Sequence, residues 1–359
     1  MKKVAITCDH LLVRNHYTEI IEVLCEIFPE APIYTFAHKK GAILGRIEQR
    51  KIHSTYLSHK VNTIDEFYAH SSKLPLLAKH HFVSCQYDYI INVSAGLSQG
   101  FKKCESTKQI TYLYDFGFEG KVKKSLMQKL AHPWFLNYAI TSFKNADTLY
   151  VARENLKQDL IEVLKREDVS VMYPPFKLSD YSLFPKAMFP HHFLLIDVED
   201  LNRDEASLVM DFLQSHHLKF QFIGPDSHLE ALKQLEMEKS EPRKDLFFGE
   251  RCSGEHAPVL AASKIYINFK GRAFPKLAFA TLAVGRPVMI ESCHASWFKG
   301  DGVFYFDQNK SMLDKCHQLI DLMQSTSLDE DSFDGQKLRS QVQFYHETKF
   351  KKSMEALLN

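Results

Sequence analysis

Val171-Met-Tyr-Pro-Pro-Phe176 is the stretch on which the fold turns. The run from Val169 to Tyr173 reads as a strand, and two prolines end it. Proline lacks an N–H and fixes φ, so Pro174-Pro175 closes whatever element precedes it. Upstream, short apolar runs alternate with longer amphipathic ones. Val4 to Thr7, Ile33 to Phe36, Tyr89 to Val93, Gln109 to Leu113 and Thr148 to Val151 read as strands. Between the first two, Ile20, Ile21, Leu24, Ile27 and Phe28 recur at helical spacing over Tyr17 to Phe28. Such alternation implies parallel β-α units in a doubly wound sheet.

Downstream of Tyr173 the pattern is lost and then restarts. Pro174 to Pro190 carries several prolines and little periodicity, as a linker does. Phe193 to Ile196, Phe220 to Ile223, Leu246 to Phe248, Ile265 to Phe269 and Val288 to Ile290 then read as strands, with a helix over Asp204 to His216. The expectation is an N-terminal α/β domain over residues 1–175, a linker over 176–190 and a second α/β domain over 191–340. A last helix, 341–358, presents Phe344, Tyr345, Phe350, Met354 and Leu357 as its apolar positions. Ligands of doubly wound sheets sit beyond the carboxyl ends of the strands, so a cleft between the halves is the expected site.

The 359 residues suit two domains. Lys+Arg is 45 against Asp+Glu 44, so no net field draws in nucleic acid, and none is expected as a partner. Seven cysteines, none in a Cys-x-x-Cys pair, argue against a disulfide framework or zinc ribbon and fit a reducing cytoplasm. The N-terminus reaches Asp9 and His10 after a short apolar run, which reads as a strand rather than a signal peptide. No stretch approaches the ~18 apolar residues of a membrane span.

Several runs, in order along most of the chain, resemble the family 4 retaining glycosyltransferases. They are Glu26-Ile-Phe-Pro-Glu-Ala-Pro-Ile-Tyr-Thr35, Tyr87-Asp-Tyr-Ile-Ile-Asn-Val-Ser94, Asn145-Ala-Asp-Thr-Leu-Tyr-Val151, Val171-Met-Tyr-Pro-Pro-Phe176, Phe247-Phe-Gly249, Phe274-Pro-Lys-Leu-Ala-Phe-Ala-Thr-Leu-Ala-Val-Gly-Arg-Pro-Val288 and Asp301-Gly-Val-Phe-Tyr-Phe-Asp307. Tyr-Pro-Pro and Gly-Arg-Pro-Val are the specific pieces. The resemblance implies a GT-B fold, two Rossmann-like domains facing across a cleft. The second domain would bind a nucleotide-sugar donor and the first a glycan or lipid-linked acceptor. The last helix would cross back onto the first domain. No cofactor is implied. No metal is implied either, because protein cations and a helix N-terminus handle the diphosphate.

Cleaving a sugar–phosphate bond leaves negative charge on the departing nucleotide, which fixed cations and backbone donors stabilise. The family's Arg and Lys after the first strand of the second domain fall at Val198 and Arg203. Only Arg203 keeps a charge, and it is either a donor contact or a solvated residue at a helix start. The family's two acids fall at Arg272 and Ala280. Alanine cannot accept a ribose hydroxyl, so the donor would be gripped through its phosphates by Arg203, Arg272 and Lys276, with Gly271 beside them. The bland alternative for Gly271-Arg272 and Lys276 is a solvated basic loop. Gly224, in Gly224-Pro225-Asp226, either contacts the donor or only turns the chain.

In the first domain the family's phosphate-approaching glycines fall at Asn15-His16, and its catalytic-loop histidine at Tyr114. Asp115 beside it either orients an acceptor hydroxyl or caps a helix. Gly285-Arg286-Pro287 reads as structural. Adjacent histidines at His80-His81, His191-His192 and His216-His217 point apart and do not chelate together. Asp329-Glu-Asp331 lies in a polar loop and reads as solvated. Lys102-Lys103, Lys121-Val-Lys-Lys124, Trp134, Phe135 and Phe143 are either a basic, aromatic surface for peripheral contact with the inner membrane or a charged helix face. The expected function is transfer of a hexose to a bacterial cell-envelope glycan or lipid-linked acceptor. The alternative is a catalytically degenerate GT-B protein that acts as a binding or scaffold module.

Overall fold

A computed structural model describes residues 2–115, 134, 137–184, 193–237, 247–249, 253–271, 274–295, 297–298, 300–326, 328 and 332–358. It divides into two compact units, Met1–Pro175 with Glu347–Asn359, and Phe176–His346.

The first unit holds seven strands: β1 (Val4–Leu11), β2 (Ile33–His38), β3 (Ile52–Ser54), β4 (Tyr89–Ser94), β5 (Lys108–Leu113), β6 (Thr148–Val151) and β7 (Val169–Val171). They pair in the order β3-β2-β1-β4-β5-β6-β7, all parallel. The order reverses between β1 and β4, and the crevice beyond their carboxyl ends is where such a sheet takes ligands. The helix His16–Ile27 buries Ile20, Ile21 and Leu24 on one face of the sheet, with Tyr112 and Ile91 in the same core. Phe350 and Met354, on the terminal helix Glu347–Ala356, complete that core.

The second unit holds β8 (Phe193–Asp197), β9 (Phe220–Ile223), β10 (Phe247–Phe248), β11 (Ser263–Asn268), β12 (Val288–Glu291) and β13 (Val303–Phe306). Their order is β10-β9-β8-β11-β12-β13, again all parallel, with the reversal between β8 and β11. The α/β doubly wound fold class read from the sequence is the fold observed.

Four readings change. The last helix is not continuous over 341–358. One helix, Gly335–Gln343, ends before Phe344–His346, and Glu347–Ala356 begins after it. The break has a cause: Tyr345 turns its carbonyl to the Phe176 N–H at 2.9 Å and its hydroxyl to the Trp297 carbonyl at 2.7 Å. Residues 176–181 are not free linker. Phe176 and Tyr181 are buried and stacked, with ring centroids 5.4 Å apart, and aromatic burial holds them to the second unit. β1 runs on through Asp9 and His10, both buried. Cys85 and Cys104 are joined in a disulfide, with Cα atoms 5.3 Å apart, although 19 residues separate them in sequence. Parallel pairing of Phe82 with Lys102 brings the two segments together.

Candidate functional site

The carboxyl edge of the first sheet is built around β1. Asp9 is fully buried and accepts the Ala95 N–H at 2.9 Å and the Ser98 N–H at 2.7 Å, which pins the turn after β4. Burial raises its pKa to about 6, against the lowering effect of its bonds from Ser98, Ala95 and Ser94. Tyr17 bridges the two central strands: its hydroxyl accepts the Asp9 N–H at 2.7 Å and donates to the Val93 carbonyl at 2.9 Å.

Asn15 and His16 lie at the N-terminus of the first helix. The Asn15 side chain accepts the Thr18 N–H at 3.1 Å, and Thr18 Oγ1 accepts the Asn15 N–H at 2.9 Å. This capping box satisfies orphan amides from within the chain. His16 is buried and reaches across to β5. Its Nδ1 is 3.1 Å from the Tyr114 hydroxyl and its Nε2 is 3.2 Å from the Pro175 carbonyl oxygen. Asp115, the next residue, is ion-paired with Arg153 at 3.0 Å. Arg153 stands between β6 and the helix Glu154–Leu164. The structure therefore brings His16 and Tyr114 together and places Asn15 beside them. Arg153 is a residue that the sequence reading missed: it follows β6 as Tyr114-Asp115 follows β5.

The carboxyl edge of the second sheet carries charged side chains, several of them paired. Arg203 opens the helix Arg203–Ser215 and is exposed. Lys270, just past β11, reaches the Glu205 carboxylate at 2.7 Å. Lys276 opens the helix Lys276–Ala283. Lys315 is buried, and its ammonium donates to Glu291 at 2.6 Å and to the Phe269 carbonyl at 2.9 Å. Glu291, at the end of β12, also accepts the Gly271 N–H at 2.8 Å. Burial raises the Glu291 pKa, but the bonds from Lys315 and Gly271 outweigh it and hold the carboxyl below its usual range. So Gly271 spends its amide on Glu291 rather than presenting it outward. Arg272 lies outside the described residues, as do Lys121 to Lys124, Phe135, His191-His192 and Asp329-Glu-Asp331.

Gly224 ends β9 with φ 153°, and a Cβ there would come within 2.9 Å of a Val198 methyl, so a turn alone accounts for the glycine. Beside it, Asp197 ends β8 fully buried, bonded by the Tyr266 hydroxyl and by the Glu199 N–H at 2.9 Å. Ala280 is buried within its helix. Phe143, read as one of the surface aromatics, is buried among Leu113, Leu149 and Leu160, and Trp134 is exposed. Among the described residues no group of three or more His, Cys, Asp or Glu is placed to hold a metal, and no helix is long and apolar enough to cross a membrane.

No protein-family model matches the chain, and no curated protein does. Solved structures do. HepE of Anabaena, in complex with UDP and glucose, superposes with a TM-score of 0.67 at 12% identity over 99% of both chains. TarM superposes with a TM-score of 0.66 at 11% identity over 100% of this chain and 99% of its own. A mutant of S. aureus TarM in complex with fondaparinux, alpha-GlcNAc-glycerol and UDP gives 0.63 at 11% identity over 99% of both chains. The fold is GT-B. At this identity the GT-B likeness speaks for the architecture, and the chemistry has to come from the two edges.

Proposed function

We propose that this protein is a retaining, metal-independent glycosyltransferase that moves a hexose from a nucleotide-sugar to a cell-envelope glycan or lipid-linked acceptor. The observation that carries this reading is the set of basic side chains at the carboxyl edge of the second sheet. Arg203, Lys270, Lys276 and Lys315 come from three segments that all follow strands of that sheet. A departing nucleoside diphosphate gains charge in the transition state, and preorganised cations stabilise that charge without a metal. Lys276 opens a helix with no side-chain cap, whose N-terminus adds a favourable dipole for an anion, whereas the Asn202–Glu205 capping box already closes the helix that Arg203 opens. HepE and TarM, whose architecture the chain shares along its full length, were solved with UDP, and HepE also with glucose.

The first sheet supplies the acceptor side of the proposal. Asp115, steadied by Arg153, is suited to orient an acceptor hydroxyl, and Tyr114 stands next to it. Lys79, Lys102 and Lys103 line a depression of about 440 Å³ on this unit, a surface suited to peripheral contact with an anionic membrane.

A second reading, a degenerate binding or scaffold module, draws on the matched charges: Lys270 is answered by Glu205 and Lys315 by Glu291. Buried Ala280 also offers no acceptor for a ribose hydroxyl. Release of UDP from UDP-glucose or UDP-N-acetylglucosamine separates the readings. The transferase reading expects turnover that persists in a chelator, with the anomeric configuration kept in the product. Binding without turnover under every acceptor tried would leave the module reading standing.

A further inference from the structure

The bonded cysteines of the first unit lie nearer the surface than its free ones. Cys85 is exposed and Cys104 half-buried, whereas Cys8 and Cys25 are buried. Backbone pairs flank the bonded two on both sides. Before them, the Val83 N–H donates to the Lys102 carbonyl at 2.9 Å and the Lys102 N–H to the His81 carbonyl at 3.1 Å. After them, the Thr107 hydroxyl donates to the Tyr87 carbonyl at 2.9 Å and the Lys108 N–H to the Asp88 carbonyl at 3.0 Å. The Cα atoms, 5.3 Å apart, thus sit at the ordinary separation of a disulfide through contacts that outlast its reduction. Two thiols held this way stay within reach of each other.

Cys104 also opens a tight turn, in which the Thr107 N–H donates to the Cys104 carbonyl at 3.1 Å. The turn is fastened to Lys103, whose ammonium donates to the Thr107 carbonyl at 2.7 Å and to Asp147 at 2.9 Å. Lys102 and Lys103 line the depression on this unit. We propose that Cys85 and Cys104 are a reversible thiol–disulfide pair that switches this lysine-lined depression between a fixed and a loose form. A dithiol supplies the two electrons. Its first thiolate attacks the sulfur of exposed Cys85, and Cys104 leaves as a thiolate that takes up a proton. The second thiolate of the dithiol then displaces Cys85, so the protein gains two thiols as the dithiol becomes a disulfide. A disulfide oxidant such as glutathione disulfide reverses the exchange. Oxidised, the segment from Lys102 to Thr107 is held at the cysteine and an anion meets lysines already in place. Reduced, that end is released, and binding must first order it. The ligand rests on the membrane-contact reading of the depression; the exchange and the loosening do not.

The test treats the full folded chain with dithiothreitol and then with glutathione disulfide, beside Cys85→Ser/Cys104→Ser. Wild type should gain two reactive thiols over the variant and lose them again on oxidation. A bond that yields only on unfolding, or thiols that do not pair again, overturns the proposal. Hydrogen exchange at the Thr107 amide should quicken about 10-fold on reduction, and the variant should match the reduced protein in either reagent. Equal exchange in both redox states overturns the switch. Vesicles of phosphatidylglycerol should bind the oxidised protein several-fold more tightly than the reduced one, and equal, measurable affinities would also overturn it. If neither form binds these vesicles while the Thr107 amide still responds, the membrane reading fails and the thiol pair stands.

Discussion

The two sheets share one topology, and their carboxyl edges are built from opposite materials. The first edge is mostly hydrogen bonding: Asp9 buried under three donors, Tyr17 bridging two strands, and His16 between Tyr114 and Pro175. An ion pair there joins Asp115 to Arg153, both partly exposed. The second edge is made of charge: Lys270 with Glu205, Lys315 with Glu291, and Arg203 at a helix start. Neutral acceptors and donors discriminate hydroxyls, whereas fixed cations hold oxyanions. In the proposed reading the first edge takes the sugar and the second the phosphate, and substitutions at each should fail in different ways.

The largest expected effect lies in the second edge. Lys315→Met leaves the Glu291 carboxylate half-buried with its cation gone. Breaking such a pair costs about 3–5 kcal/mol, whereas replacing both partners is often close to neutral. Urea unfolding should show that loss for the single variant and recovery of most of it in Lys315→Met with Glu291→Gln. Equal losses in both would show that the charge is not what organises this edge.

The next effect is in the first edge and is read against pH. Asp9 has its folded pKa raised to about 6, above the ordinary 3.8 of an aspartate. The folded state therefore holds this proton more tightly than the unfolded chain, so its contribution is full below about pH 4 and is lost as pH rises through about 6. The shift corresponds to about 3 kcal/mol. Relative to Asp9→Asn, the wild-type protein should lose that much stability between pH 4 and pH 7, measured by denaturant midpoints. A stability difference that stays flat across this range would mean that burial does not govern Asp9.

Smaller still is Asp115→Asn. Because Asp115 and Arg153 are both partly exposed, the stability change should stay within about 1 kcal/mol. Sugar transfer should fall about 10-fold or more if Asp115 orients the acceptor. Equal turnover in the two proteins would move the acceptor contact elsewhere. Smallest in stability is Arg203→Ala, within about 0.5 kcal/mol because the side chain is exposed. UDP affinity should drop several-fold, and its sensitivity to salt should weaken with it.

The repeating strand–helix alternation was legible because periodicity reports burial directly. Thr148 to Val151 and Phe220 to Ile223 read from sequence with the same bounds the structure shows. β3 was not legible: three residues carry too little pattern, and Ile52–Ser54 is placed only by pairing with Ile33–Thr35. The end of β1 was misread for a chemical reason, since Asp9-His10 looks solvated until the donors of Ala95 and Ser98 cover the carboxylate. The break at Phe344–His346 was hidden because its apolar spacing suits a helix, and only the distant partners Phe176 and Trp297 explain it. At the site, Tyr114 and His16 were legible as positions, but their bond spans 98 residues and belongs to the folded chain. Lys315 and Glu291 gave no signal, since a lysine and a glutamate in amphipathic runs look like surface residues until the fold buries them.

The central claim, that the second edge takes a nucleotide-sugar, is tested most directly by the unfolding midpoint with and without UDP-glucose. Ligand that binds only the folded state should raise stability by about 2.7 kcal/mol at 100 times its dissociation constant. The increment should shrink in Arg203→Ala and in high salt, and should be unchanged in Tyr114→Phe for UDP alone. A midpoint that no UDP-sugar moves, at any salt concentration, would contradict the account.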